Sequence, residues 1–159
     1  MYQIEQITDR HLADWLEMML LLWDDNTKDV LKAEHISVIN NDNFGNFICL
    51  SDDGQAVGFI NVSLRNDYVA GAEAMPVAYV EGIFVKAQYR GKGIGRMLLA
   101  QGERWAAAKG VRQIASDTDH DNIGSIAFHS AVGFAQAERV VCFIKRLTND
   151  NPARYNATR

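Results

Sequence analysis

The sequence predicts a single α/β domain built around a mixed sheet. Three features lead to that class. Hydrophobic residues recur with helical spacing in some segments and alternate with period two in others. Three strand-like segments follow one another in mid-chain, and after them helices and strands alternate. No internal repeat, linker or low-complexity stretch divides the 159 residues, a length that suits one domain.

Taken in order, residues 2–7 (YQIEQI) alternate polar and apolar and read as a first strand. Thr8 or Asp9 can cap a helix running through Trp23, whose apolar positions Leu12, Trp15, Leu16, Met19 and Trp23 recur at helical spacing. A second helix is expected over 27–39, then a polar turn at 40–43. Residues 46–51 and 56–65 read as strands joined by a hairpin turn at Asp52, Asp53 and Gly54. After a looser stretch, 78–85 (AYVEGIFV) is a third strand of the same sheet. The basic, glycine-rich segment 88–96 opens a helix to about Lys109, with Gly110 as its stop. A strand at 112–117, a short helix at 122–132 ending at Gly133, and strand-like sequence to Leu147 complete the domain, 1–147. Residues 148–159 (TNDNPARYNATR) are polar and read as a tail outside the fold.

Composition excludes several function classes. The chain is 48% hydrophobic and 23% charged, the balance of a globular protein. Its longest apolar run, 16–23, is broken by Glu17 and ends at Asp24 and Asp25, so no membrane span is expected. The first residues lack a basic segment followed by an apolar core, which favours the cytoplasm. A net charge of −4 argues against nucleic acid as the main partner and is compatible with a cationic substrate. Cys49 and Cys142 each lie in an apolar stretch and read as buried, reduced core residues. No metal-ligand spacing appears. Trp15 and Trp105 fall on apolar helix faces and are expected in the core.

The segment Gln88-Tyr89-Arg90-Gly91-Lys92-Gly93-Ile94-Gly95-Arg96 lies between a strand and a helix. Closely spaced glycines let successive backbone N–H groups converge, and a helix N-terminus adds positive potential there. Arg90, Lys92 and Arg96 add full charges, which makes a seat for a phosphate or pyrophosphate. A P-loop would need Lys followed by Ser or Thr after its second glycine, and neither is present. A dinucleotide fingerprint would follow the first strand of the fold, with different glycine spacing.

Gln88-x-x-Gly91-x-Gly93 matches the Q/R-x-x-G-x-G/A signature of the GNAT acetyltransferases, and it stands after a strand and before a helix as in that superfamily. Asn122, then Ala127-Phe128-His129, then Gly133-Phe134 resemble a second landmark of the same fold. Further segments look like one branch, the aminoglycoside 6′-N-acetyltransferases. These are Leu22-Trp23 before acidic residues, Arg65-x-Asp67-Tyr68-Val69-x-Gly71, Pro76-Val77, Val80 to Val85, Ala115 to Thr118 and Glu138-Arg139-Val140. This likeness spans nearly the whole chain to about Leu147.

The resemblance implies a GNAT-type domain with a mostly antiparallel central sheet flanked by helices, and acetyl-CoA as co-substrate with no metal. It implies that the strand holding Ile83, Phe84 and Val85 splays from its neighbour and pairs with the pantetheine arm. The backbone N–H near Val85 would face the thioester oxygen, where a preorganised donor stabilises developing charge. The pyrophosphate would rest on the turn from Arg90 through Gly91, Lys92, Gly93, Ile94 and Gly95, with Gln88 and Arg96 beside it. Asn122 would also contact the cofactor. Substrate contacts are implied at Trp23, Tyr68, Glu81, Asp117 and Glu138. Those residue types suit a polyamine sugar: carboxylates bind ammonium groups, and aromatic rings offer apolar or cation–π faces.

Glu81 is also conspicuous without the resemblance, because a carboxylate inside an apolar strand is costly unless paired or functional. It is the expected proton acceptor from the attacking amine, directly or through water. Asp117 stands at a strand's end, where either a site residue or a turn residue is common. Asp119 and Asp121 read as caps or loop charges. Many GNAT enzymes carry Tyr four residues before the glycine of Gly-Phe as general acid, whereas this chain has His129. It either donates a proton or is structural. Cys142 has no readable partner base for a nucleophilic role. A homodimer through the strand near 140–145 is a further implication. Two other readings stay open: acetylation of polyamines, amino-acid derivatives or protein N-termini, and a non-catalytic acetyl-CoA sensor, which would have no use for Glu81, Asp117 and Glu138.

Overall fold

The computed structural model describes residues 1–146, so the expected tail at 148–159 and the domain end at Leu147 lie outside the described residues. The elements run β1 (Tyr2–Gln6), α1 (Leu12–Leu22), α2 (Lys28–His35), β2 (Phe44–Ser51), β3 (Ala56–Arg65), β4 (Val77–Val85), α3 (Ile94–Ala108), β5 (Ile114–Ser116) and α4 (Ile123–Ala131). Among the described residues no helix is long and apolar enough to cross a membrane.

The five strands form one sheet in chain order. The first four are antiparallel neighbours, and β5 joins β4 in parallel. A tight turn joins β2 to β3, α1 and α2 lie between β1 and β2, and the parallel return from β4 to β5 needs the crossover that α3 supplies. Both sheet faces are covered, which explains why β2, β3 and β4 read as nearly continuous apolar runs. On one face α1 lays Trp15, Leu16, Met18 and Met19 against Ile48, Phe59 and Phe84. On the other, α3 lays Ile94, Leu98, Leu99 and Ala106 against Ile60, Val62, Ala78 and Val80. Large aliphatic side chains buried in this way each contribute roughly 1.5–3 kcal/mol. Trp15 is fully buried, and its indole N–H donates to Asn61 Oδ1 at 3.2 Å. Trp105 is half-buried at the edge of the second cluster.

Several expectations need correction. The second helix ends at His35 and continues only as a 3-10 turn, Ile36–Val38. The strand expected at 112–117 shortens to Ile114–Ser116. The strand-like sequence after Gly133 forms no strand among the described residues: Val140, Val141, Phe143 and Ile144 are 70–93% exposed. A strand exists only through its partners, and nothing within the described chain pairs with this segment. Cys142 lies in it and is exposed, against the expectation of a core residue, while Cys49 is buried as expected. Burial pushes the Cys49 thiol up to about 11.

Candidate active site

The site begins with a change of partners along β4. Its pairing with β5 covers only Ala78, Tyr79 and Val80. Beyond Val80 the strand keeps β3 on one side and loses β5 on the other. Lys86 N–H donates to Val57 C=O at 2.9 Å, and Phe84 lies opposite Phe59. In an antiparallel ladder, bonded and non-bonded pairs alternate, so the backbone groups of Ile83 and Val85 point away from β3 into the opening. These are the residues expected to meet the pantetheine arm.

A β-bulge accompanies the change. Asn61 lies opposite Gly82 and Val62 opposite Val80, leaving Glu81 as the extra residue of β4. A bulge re-aims side chains. Here both Glu81 and Gly82 turn toward the α1 face, since Glu81 meets Ser63 and Gly82 lies under the indole of Trp23. A Cβ at residue 82 would come within 2.8 Å of Trp23 Cζ2, so the glycine is what lets the ring lie against the strand. Trp23 is further packed against Phe59 and against the His35 ring, at 6.4 and 5.9 Å between centroids.

The glycine turn follows β4 directly. Gly91 and Gly93 have φ of +74° and +81°, a region that side-chain-bearing residues rarely enter. A Cβ at either would meet nothing within 4 Å, so conformation and not crowding demands glycine there. Gly93 caps α3, and Met97 N–H is the first to bond back into the helix. The N–H groups of Ile94, Gly95 and Arg96 therefore face outward, as every helix start leaves them. Gly95 packs on Phe128 of α4, and Arg96 Nη2 donates to Ala131 C=O at 2.9 Å. Arg90 Nε donates to Val85 C=O at 2.9 Å, and Lys92 lies over the Tyr89 ring at 5.1 Å. Gln88 is exposed in the 3-10 turn Ala87–Tyr89. Thus Arg96 and Arg90 tie the turn to its supports. For the expected pyrophosphate, that leaves the backbone N–H groups as the more direct candidate seat.

On the α1 face of the sheet, Glu81 carries a dense set of bonds. Ser63 Oγ–H donates to Oε1 at 2.5 Å, Arg65 Nε donates to the same oxygen at 2.9 Å, and Arg65 Nη2 donates to Oε2 at 2.6 Å. The carboxylate bond holds the Arg65 guanidinium above even its ordinary high value, so it stays charged. That guanidinium stacks 3.4 Å from the centre of the Tyr79 ring. Tyr79 O–H in turn donates to Asp117 Oδ1. Burial first, and then this bond to a carboxylate, push the Tyr79 hydroxyl well above its usual range, so it remains a donor.

The structure therefore joins Glu81, Trp23 and Asp117 around the open half of β4. Tyr68 and Glu138 are exposed, and neither bonds to Glu81 among the described residues. Their segments are neighbours: a Cβ at Gly71, in the loop after Tyr68, would come 2.9 Å from Ala137 Cβ. Asn122 caps α4, its Oδ1 accepting from Ser125 N–H at 3.0 Å. Asp119 and Asp121 are exposed loop charges. His129 has both ring nitrogens engaged: Nδ1 donates to Ser125 C=O at 2.7 Å, and Nε2 accepts from Ser116 Oγ at 2.9 Å. Flanked by Phe128 and Phe134, it ties α4 to β5, which favours the structural alternative.

Sequence reasoning gave no role to Ser63, Arg65 or Tyr79. Their period-two spacing with Glu81 on two adjacent strands is a signal, but it becomes readable only once the register is known.

Known proteins resemble this chain over most of its length. The model of the acetyltransferase (GNAT) family matches residues 14–134. The aminoglycoside N(6′)-acetyltransferase type 1 of Salmonella enteritidis is 38% identical over 143 residues, covering 90% of this chain and 98% of that protein. The protein of the same name from Acinetobacter baumannii is 39% identical over 144 residues, covering 91% and 98%. Among solved structures, AAC(6′)-Iy in complex with the bisubstrate analog CoA-S-monomethyl-acetylneamine superposes with a TM-score of 0.87. It shares 37% identity and covers 92% of this chain and 99% of that one. AAC(6′)-Ih from Acinetobacter baumannii gives the same TM-score at 38% identity, covering 93% and 100%.

Proposed function

The chain belongs to the GNAT acetyltransferase family, and we propose that it transfers the acetyl group of acetyl-CoA to the 6′-amino group of aminoglycoside antibiotics. The observation that carries this reading is the fork at Val80. There β4 leaves β5, runs on beside β3 alone to Val85 and leads into the glycine turn, and Glu81 stands at the branch point.

The residues present fit acetyl-CoA. The outward backbone groups of Ile83 and Val85 suit the amides of the pantetheine arm, and Phe84 supports them from the core. The N–H groups from Arg90 to Gly95 suit the pyrophosphate, with Lys92 adding charge and Gln88 and Arg96 shaping the rim. Asn122 adds a side-chain amide at the start of α4, since only its carbonyl oxygen is used as a cap. When bound, acetyl-CoA supplies an activated acetyl thioester. Val85 N–H offers a fixed donor where charge develops on the thioester oxygen.

The acceptor's ammonium groups meet Asp117, Glu81 and Glu138, and its sugar faces meet Trp23 and Tyr68. Glu81 takes a proton from the attacking amine, directly or through water, and general-base help of this kind contributes about 10²- to 10⁴-fold. Much of the remaining acceleration is alignment of the two reactants. A thiolate leaving group with a pKa on the order of 8.5 needs little acid assistance, so the chemistry does not require His129 as an acid.

We also read the protein as a homodimer. The exposed Val140, Val141, Phe143 and Ile144 have strand-like sequence and no partner within the described chain, and a second copy is the simplest cover for them. Light scattering coupled to size exclusion tests this: a wild-type dimer that Phe143→Glu converts to monomer supports it, and a wild-type monomer removes it. Dependence on acetyl-CoA, an intracellular metabolite, supports a cytoplasmic setting.

The test of function is CoA release from acetyl-CoA with kanamycin, tobramycin, spermidine and a peptide panel, beside Glu81→Ala. Turnover confined to the aminoglycosides and lost in the variant is the expected result. Turnover only with polyamines or peptides would sink the acceptor assignment.

A further inference from the structure

On the acceptor reading above, an amine must reach Glu81, and the bonds around that carboxylate restrict its approach. A carboxylate offers about four lone-pair directions. Ser63 Oγ and Arg65 Nε take both directions on Oε1, and Arg65 Nη2 takes one on Oε2. We propose that Arg65 is a positioning residue which, together with Ser63, leaves a single direction on Oε2 open to the acceptor amine.

The guanidinium is well placed for this task because it is itself held. It lies 3.4 Å from the centre of the Tyr79 ring, and that ring is only 7% exposed. Tyr79 is anchored through its hydroxyl to Asp117, so Glu81 and Asp117 are joined through one stacked unit. A planar fork on a fixed platform sets both the distance and the rotation of the carboxylate it grips. The bulge at Glu81 needs such a brace, since the extra residue of β4 has no cross-strand partner of its own.

The charge balance gives the inference a distinctive signature. Arg65 neutralises Glu81, so the pair contributes direction to the amine more than attraction. Asp117 is bonded to a neutral phenol and keeps its full charge for the polycationic acceptor. Removing Arg65 would release a second full negative charge while freeing the Glu81 side chain to rotate. The acceptor would then bind at least as well but be presented in the wrong direction. That predicts a fall in kcat without a rise in the acceptor KM, a pattern a loss of packing would not produce.

The experiment is steady-state kinetics of the full-length protein with tobramycin at saturating acetyl-CoA, comparing wild type, Arg65→Met and Arg65→Lys, with thermal melting alongside. Arg65→Met is expected to lower kcat on the order of 10- to 100-fold, the range for a misplaced reacting group. Its tobramycin KM should be unchanged or lower, and its acetyl-CoA KM unchanged. Arg65→Lys restores the charge but not the fork, and is expected to bring back KM more than kcat. A kcat within twofold of wild type in Arg65→Met would overturn the inference, as would a raised tobramycin KM with kcat intact. Full kcat in Arg65→Lys would overturn the fork and leave charge alone as the explanation. Absence of wild-type turnover with tobramycin would sink the acceptor assignment and this inference with it, whereas normal wild-type turnover beside an unaffected Arg65→Met removes the inference only.

Discussion

The two sides of the proposed site, one for the acetyl donor and one for the acceptor, share β4 but are made of different materials. On the proposed donor side the working groups are backbone: the outward N–H and C=O groups of Ile83, the N–H of Val85, and the N–H groups of the turn at Gly91 and Gly93. On the acceptor side they are side chains: Glu81 in its bracket of Ser63 and Arg65, Tyr79 bonded to Asp117, and Trp23 against Gly82. A ligand common to a whole family can be held by backbone that many sequences can form. A particular acceptor must be recognised by side chains, and those can vary without disturbing the first set.

The largest expected effect is on the acceptor side. Glu81→Ala should reduce kcat/KM for an aminoglycoside by about 10²- to 10⁴-fold while acetyl-CoA binding, read by calorimetry, stays near wild type. Lost cofactor binding in that variant would break the division between the two sides. On the donor side, Gly93→Val forces a branched side chain into a left-handed conformation, at a cost of about 1–2 kcal/mol or more. Calorimetry should show acetyl-CoA affinity falling on the order of tenfold, with the acceptor KM little changed.

Tyr79→Phe sharpens the comparison from within the acceptor side. It keeps the ring under Arg65 and removes only the bond to Asp117, so the acceptor KM should rise by about three- to tenfold, in line with the net worth of one typical hydrogen bond. His129→Ala should leave kcat within about threefold and instead lower the melting temperature, because its bonds join α4 to β5. A collapse of kcat with unchanged melting would return the general-acid role to this residue. The smallest effect lies away from both sides. Burial, and then the neighbouring Arg10, lower the His11 ring below its ordinary 6.5. The unfolded chain therefore binds the proton more readily, and His11's contribution to stability is present above about 6.5 and lost as pH falls through the window below it. Melting curves of wild type and His11→Gln across that window should converge toward acid pH.

Much of this was legible in the chain itself. Alternation placed β1, nearly continuous apolar runs placed β2 to β4, and helical spacing placed α1 and α3, because each pattern reflects the faces its element must bury. The glycines at 91 and 93 announced a left-handed turn before α3, since their conformation is a local property. Glu81 stood out because a carboxylate in an apolar strand demands an explanation. The role of Arg65 and Tyr79 was not legible. A shift of one residue in register would turn both to the opposite face, and nothing local announces the bulge that turns Glu81 toward them. The same limit explains 135–146. Its run of β-branched and aromatic residues at 140–144 states a preference for extended backbone, but a preference becomes a strand only when another strand is within reach.

Taken alone, the sequence determined what depends on neighbours along the chain: the kinds of element and their order, the left-handed turn, the helix start behind it and the acidic character of the proposed acceptor side. The tertiary structure decided what depends on residues far apart in sequence: the end of β5 pairing at Val80, the face on which Glu81 points, the grip of Arg65 on it, and the exposure of Cys142. The physical reason is range. Backbone conformation and hydrophobic periodicity act over a few residues, whereas register, bulges and charge pairing are settled only when the strands meet.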